Sequence, residues 1–270
     1  MKFHTRLMNS VEIVAHRGAS NEDPENTLAA FNRAIELGAD AIECDVRLTS
    51  DQVPIVYHYY YLECLTAVNG PVFNYTAQQI EKFKVFGQNG KPSNEKIPTL
   101  FEVLEEVDGK IGLEIELKGP EVESARIVAG ALNQFTHSFD AIEVTSYEPL
   151  LLIEFKAFCP EIATDLLIPR SESWMGLDIV THNAVYRAKQ AQARAVHLHP
   201  TQLTAEVVEA IHHQGIEIHA WDVNSEKDLD RACEFEIARI CTDDLTSALQ
   251  FFGRITYEHK KQSTEIKSIK

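Results

Sequence analysis

Two acids stand two positions apart in the apolar run Ile42-Glu43-Cys44-Asp45-Val46. Alternate residues of a strand share a face, so Glu43 and Asp45 point one way and Cys44 the other. Paired carboxylates on a buried strand repel one another, burial worsens the repulsion, and a cation between them relieves both. Oxygen ligands with no His or Cys among them suit Mg²⁺ or Ca²⁺ better than Zn²⁺. The run Leu113–Lys118 repeats the theme, with Glu114, Glu116 and Lys118 on one face. Glu116 could supply a third ligand, and Lys118 offers phosphate a point charge. His16-Arg17-Gly18 follows the first apolar run. His16 is an acid/base candidate, Arg17 presents a planar fork to an oxyanion, and Gly18 permits a tight turn. His58 is the second acid/base candidate. Between it and Asp45 lies the turn signal Thr49-Ser50-Asp51-Gln52. A reversal about positions 51 and 52 sets 45 opposite 58 and brings His58 back over the acids. The bland alternative for Glu43 and Asp45 is an exposed strand end whose acids are simply solvated.

Something must hold these residues in place, and the rhythm of the chain says what. Strands are predicted at Val11–Ala15, Ala41–Arg47, Ile111–Leu117, Ala141–Thr145, Ile162–Ile168, Ala195–Leu198, Ile216–Trp221 and Ile237–Cys241, with helical patterns between most of them. Asn26–Leu37 is helical and stops at Gly38; Thr99-Leu-Phe-Glu102 is a capping box opening a helix to Val107; Leu203–His213 ends at Gly215. Near-continuous apolar strands alternating with helices predict an α/β fold, a parallel (β/α)8 barrel of the TIM type, with an open doubly wound sheet as the rival. In such a barrel the site sits at the C-terminal strand ends, where His16, Asp45 and Glu116 fall. Residues 59–97 break the rhythm with Gly- and Pro-rich turns, and only Thr76–Val85 looks helical. They are expected to form a short insertion on the catalytic face. Residues 1–256 are read as a single domain, and 257–270, rich in lysine, as a flexible tail.

Other residues have plainer readings. Asn26 or Thr27 would cap the first helix, whereas Glu25, with no such duty, would contact the site. His197, His199 and His219 could mimic a metal cluster but are expected as core or mouth-capping histidines. Tyr57, Tyr59, Tyr60 and Tyr61 are expected to pack the insertion, and Cys44 to be inert core. The chain of 270 residues carries 25 Lys and Arg against 41 Asp and Glu, a formal charge of −16. That acidity argues against nucleic acid or an anionic membrane as partner. No apolar run reaches the roughly 18 residues of a membrane span. Five scattered cysteines without a CxxC pair suit a reducing, cytoplasmic compartment. Nothing in the sequence sets an oligomeric state.

Taken in order, His16-Arg17-Gly18, Pro24-Glu25-Asn26-Thr27, Glu43-Cys44-Asp45, Thr49-Ser50-Asp51, Val56-Tyr57-His58, Ile97-Pro98-Thr99-Leu100, Glu116-Leu117-Lys118, Ser146-Tyr147, Trp221-Asp222-Val223-Asn224 and Thr242-Asp243 make the chain resemble the glycerophosphodiester phosphodiesterases over about residues 11–250. The resemblance implies a TIM barrel that cleaves glycerophosphodiesters to glycerol 3-phosphate and an alcohol. It implies one divalent metal on Glu43, Asp45 and Glu116, acid/base catalysis by His16 and His58, phosphate held by Arg17 and Lys118, and Trp221 lining the glycerol side. The chain departs from the family pattern at Tyr59, usually Asp; at Cys64, usually Arg; at Asp222, often Thr; and at Glu114, often Asn. A lysophospholipase D acting on single-chain lipids, or a non-catalytic phosphodiester-binding barrel, are the alternatives.

Overall fold

The computed structural model describes residues 11–87 and 90–255. The barrel strands are β1 (Glu12–Ala15), β2 (Ala41–Leu48), β3 (Gly112–Leu117), β4 (Ile142–Ser146), β5 (Ala163–Leu167), β6 (Ala195–Leu198), β7 (Glu217–Ala220) and β8 (Arg239–Thr242). Each pairs in parallel with the next, and β1 pairs with both β2 and β8, which closes the ring. The open sheet is thereby excluded. Eight helices alternate with the strands: α1 (Leu28–Leu37), α2 (Leu100–Val107), α3 (Glu123–Leu132), α4 (Pro149–Phe158), α5 (Leu177–Ala191), α6 (Ala205–His212), α7 (Glu226–Glu234) and α8 (Leu245–Phe251). The capping box at Thr99 and Glu102 forms as predicted.

The strands are hidden on both faces, which is why they read as continuous apolar runs; all eight residues of β2 are buried. Their outward side chains, such as Ile42, Cys44, Val46 and Ile115, join Phe31, Leu104, Leu152 and Phe155 of the helices in the main core. Cys44 is inert core, as expected. The lumen is different. Its buried apolar residues include Val14, Ala41 and Cys241, with Trp221 packed on them, and Leu167 and Ala195. Buried polar groups fill most of the rest, among them Glu43, Asp45, Glu114, Glu116, Glu143, Asp165, His197 and His219.

The segment after β2 turns back as a short strand, Pro54–Val56, antiparallel to β2. It leads into residues with a small core of their own: Ile55, Tyr57, Leu62, Val72, Ile80, Val85 and Ile97. The expected helix over Thr76–Val85 is only Ala77–Ile80; Val85 belongs to a strand, Lys84–Phe86, paired with Pro92–Lys96. Tyr57 is buried in this small core and Tyr59 packs on it, but Tyr60 and Tyr61 are exposed. Tyr60 covers the Arg47 guanidinium, 3.9 Å from its centroid. Among the described residues no helix is long and apolar enough to cross a membrane. The tail at 257–270 lies outside the described residues.

Candidate active site

The register of β2 on β3 pairs Glu43 with Glu114 and Asp45 with Glu116. Glu43, Asp45 and Glu116 each offer an oxygen within 4.8 Å of the others, and all three are buried. Glu114, one step toward the strand start, faces His197 instead. Burial, reinforced by the Asp45 charge, lifts the Glu43 carboxyl to about 8. Burial also lifts Glu116, to about 7, against the pull of Lys118. Burial would raise Asp45 too, but Lys118 and Arg17 overcome it and hold that carboxyl well below its usual range. Glu43 Oε1 is buried with no hydrogen bond. An orphaned oxygen among three crowded carboxylates is a donor set that fits a hard divalent cation.

Two cations border the trio. Lys118 Nζ lies 2.8 Å from Glu116 Oε1 and 3.2 Å from Asp45 Oδ1. Arg17 Nε lies 3.2 Å from Asp45 Oδ2, and its Nη1 donates to Glu25 Oε1 at 2.9 Å, so Glu25 reaches the site through Arg17. The Arg17 backbone N–H donates to Glu43 Oε2 at 2.9 Å. That turn depends on Gly18, at φ +82°, where a Cβ would stand 2.7 Å from the Ala30 carbonyl carbon. Thr27 caps α1 by accepting from the Ala30 N–H. Asn26 does not cap: its Nδ2 donates to Asp45 Oδ2 at 2.7 Å and its Oδ1 accepts from the Asp45 N–H at 3.2 Å. This is a positioning role that local pattern could not reveal.

The two histidines have opposite surroundings. His16 Nδ1 is 2.6 Å from Asp243 Oδ1, and its Nε2 is 3.8 Å from Glu43 Oε2. Burial alone would lower its pKa, but the hydrogen bond to Asp243 and the Glu43 charge raise it to about 9. Asp243 is in turn held by Asn224, whose Nδ2 donates to Oδ2 at 2.6 Å and whose Oδ1 accepts from the Asp243 N–H at 2.8 Å. Thr242-Asp243 stands out in the sequence only as a motif; the contact of Asp243 with His16 spans the closure of the barrel. His58 is pushed down to about 3, chiefly by burial and against the charge of Asp45. Its hairpin is one residue out from the expected register. Val46 pairs with Val56 and the Tyr57 N–H donates to the Asp45 carbonyl, so Tyr57, not His58, lies opposite Asp45. The turn is the cause: Thr49 N bonds Val53 O and Gln52 sits at φ +60°, which centres the reversal on Asp51.

A wall of rings continues from Lys118, whose Nζ stands 5.9 Å from the Tyr147 ring centroid. Tyr147 meets Trp221 edge-on at 6.0 Å, and Trp221 meets His199 at 5.9 Å. His199 Nδ1 accepts from the Thr201 N–H, so His199 caps a short turn rather than joining a ligand cluster. Seven of the sequence-predicted residues therefore share one electrostatic neighbourhood, and Trp221 reaches it through Tyr147.

The family model for the glycerophosphoryl diester phosphodiesterases matches residues 16–247. The Bacillus subtilis (strain 168) protein YhdW is 35% identical over 234 residues, covering 86% of this chain and 93% of that one. The glycerophosphodiester phosphodiesterase of Caldanaerobacter subterraneus subsp. tengcongensis is 32% identical over 243 residues, with coverages of 86% and 93%. Among solved structures, a phosphodiesterase of Oleispira antarctica in complex with the product sn-glycerol-3-phosphate superimposes with a TM-score of 0.76 at 26% identity, covering 88% of this chain and 96% of that one.

Proposed function

Because the chain belongs to the glycerophosphoryl diester phosphodiesterase family, we propose that it hydrolyses glycerophosphodiesters to glycerol 3-phosphate and an alcohol at the mouth formed by β1, β2 and β3. The convergence of Glu43, Asp45 and Glu116 carries this reading. They would hold one Mg²⁺ or Ca²⁺, which when bound supplies Lewis-acid neutralisation of a phosphate oxygen. The product complex of the Oleispira antarctica relative supports glycerol 3-phosphate as product.

The chain's own residues do the remaining work. A phosphodiester anion repels nucleophiles, and an alkoxide leaves poorly. Arg17 and Lys118 meet the non-bridging oxygens and offset their charge as it builds. His58, neutral, takes the proton of the attacking hydroxyl or water; His16, charged and steadied by Asp243, gives its proton to the departing oxygen. Trp221 and Tyr147 flank the glycerol side, and the insertion borders the leaving alcohol. A cytoplasmic setting accords with five free cysteines.

The reaction is tested by release of glycerol 3-phosphate from glycerophosphocholine, with chelator and then with Mg²⁺ or Ca²⁺ restored. Release that needs the cation supports the reading. A folded protein that releases none under any cation would instead be a binding barrel. Faster turnover of lysophosphatidylcholine than of glycerophosphocholine would move the substrate to single-chain lipids.

A further inference from the structure

Toward the strand starts the lumen holds a second group of metal-ligating side chains that hydrolysis does not use. Four adjacent strands supply it: Glu143 from β4, Asp165 from β5, His197 from β6 and His219 from β7. All four are buried, Asp165 at 0% and His197 at 1% exposure. The parallel register sets His197 directly beside His219. His197 Nε2 lies 3.1 Å from His219 Nδ1 and 3.4 Å from Asp165 Oδ2, and His219 Nδ1 lies 3.5 Å from the same oxygen. Ligand atoms at the usual zinc–nitrogen distance in a tetrahedron stand roughly 3.3 Å apart, so these three already mark one face of such a site. A Glu143 oxygen completes a set in which every ligand atom is within 4.8 Å of the others.

The surroundings orient the ligands. Asp165 Oδ1 accepts from the Ala195 N–H at 3.1 Å, which leaves Oδ2 turned to the rings. His197 presents Nε2 to the cluster and Nδ1 to Glu114 Oε1 at 3.5 Å; that buried Nδ1 has no hydrogen bond. His219 presents Nδ1 inward and has Nε2 3.9 Å from Glu217 Oε2. Neither carboxylate is hydrogen-bonded to its ring, so the rings are placed by their strands and by each other. Both rings are core histidines that bond each other, as expected from sequence, but His197 keeps one buried nitrogen, Nδ1, without a partner. A cavity of about 430 Å³, bordered by Gly112, Glu143, Ala163, Arg194 and Arg239, opens this end of the barrel to solvent. At its rim Arg194 Nη2 bridges Asp165 Oδ2 and Glu143 Oε2 at 2.6 Å each, while its side chain stays 40% exposed. Arg194, whose Nε also donates to Asp165 Oδ1 at 3.2 Å, thus stands where a cation is called for, and a metal ion would have to displace it. Arg239, 3.0 Å from Glu143 Oε1, remains.

We propose that Glu143, Asp165, His197 and His219 bind one transition-metal ion, zinc by the preference of a two-imidazole, two-carboxylate set, and that this ion ties four strands together beneath the catalytic carboxylates. The site does not depend on the function of the upper trio, so the test removes that trio.

Protein carrying Glu43→Gln and Glu116→Gln is stripped with chelator, then titrated with Co²⁺ and Zn²⁺. One equivalent binds, Co²⁺ gives the visible absorption of a four-coordinate ion, and Zn²⁺ at a hundredfold excess over Kd raises Tm by about 5–10 °C. His219→Gln in that background, folded by circular dichroism, loses the absorption and the Tm rise; Asp165→Asn serves as the second ligand variant should His219→Gln not fold. Arg194→Gln, which frees the mouth, tightens binding at least tenfold. Absence of any bound equivalent once the upper ligands are gone overturns the proposal, as does absorption that survives both ligand variants. A folded Arg194→Gln protein that binds no ion does the same, and identifies the cluster as an internal ion-pair network completed by arginine.

Discussion

Asp243 controls whether His16 carries a proton, and replacing it by Asn isolates that control. The substitution keeps the size of the side chain and an oxygen for Nδ1, but removes the charge 2.6 Å from the ring. His16, held at about 9 by Asp243 and Glu43 against its burial, then falls toward the ordinary imidazole value of 6.5. At pH 8 an imidazole of pKa about 9 is roughly nine-tenths protonated, and one of 6.5 roughly 3%. As general acid the variant should therefore lose about thirtyfold in kcat/KM on glycerophosphocholine at pH 8, and much less at pH 6. The alkaline limb of its pH profile should move acidward by up to about 2.5 units. On a nitrophenyl diester, whose leaving group needs no proton, most of the loss should vanish. Stability gives an independent reading in chelated protein. A histidine raised from 6.5 to about 9 contributes about 3 kcal/mol, present in full below pH 6.5 and lost as pH rises to 9. The Asp243→Asn protein should thus unfold more readily than wild type at pH 6 and converge on it near pH 9.5, by urea titration. An unmoved alkaline limb with turnover near wild type would sink the assignment of His16 as the acid.

Three further outcomes follow from the site. His58→Ala should keep the fold and lose roughly 10²–10⁴ in turnover without recovery on the nitrophenyl substrate; a changed Tm with normal turnover would mean that His58 only packs beneath Tyr59. Glu43→Gln should abolish cation-dependent activity yet raise the Tm of chelated protein at pH 9, because the native carboxyl, lifted to about 8, resists the charge that an unfolded one accepts; equal melting at pH 5 and pH 9 would contradict this. Asn26→Ala, which frees Asp45 on both of its bonds, should weaken cation binding about 10–100-fold, measured by calorimetry with Ca²⁺.

The strands were legible because burial on both faces writes itself as an apolar run, and the caps at Thr99 and Gly38 because they are local. Glu43, Asp45, Glu114 and Glu116 stood out for the reverse reason: acids in such runs are anomalies that demand a partner. What escaped were relations across the ring. Asp243 meets His16 across the closing pair of strands, and Arg194 meets Asp165 and Glu143 across consecutive strands, in each case between residues far apart in sequence. His197 and His219 could be placed on neighbouring strands, but whether two rings face a common point depends on register. That same quantity displaced the hairpin at Asp51 by one residue. Helix was over-assigned at Thr76–Val85 because a helical pattern does not show where packing stops it; the helix ends at Ile80 and Val85 pairs in a strand instead.

The division between an apolar shell and an ionic lumen bears on how such a chain can change over generations. In a barrel whose lumen is packed with branched aliphatics, each inward substitution risks a cavity worth several kcal/mol. Here that burden rests on the layer between strands and helices, around Phe31, Leu104, Leu152 and Phe155. Inward positions are thus freed from filling space and answer mainly to charge balance. A new acid or base inside must find a counter-charge, but it need not fit a jigsaw. The insertion, with its separate cluster around Tyr57 and Leu62, has the same licence at the mouth. Novelty in chemistry and in substrate can therefore accumulate in two compartments while the scaffold is inherited almost untouched.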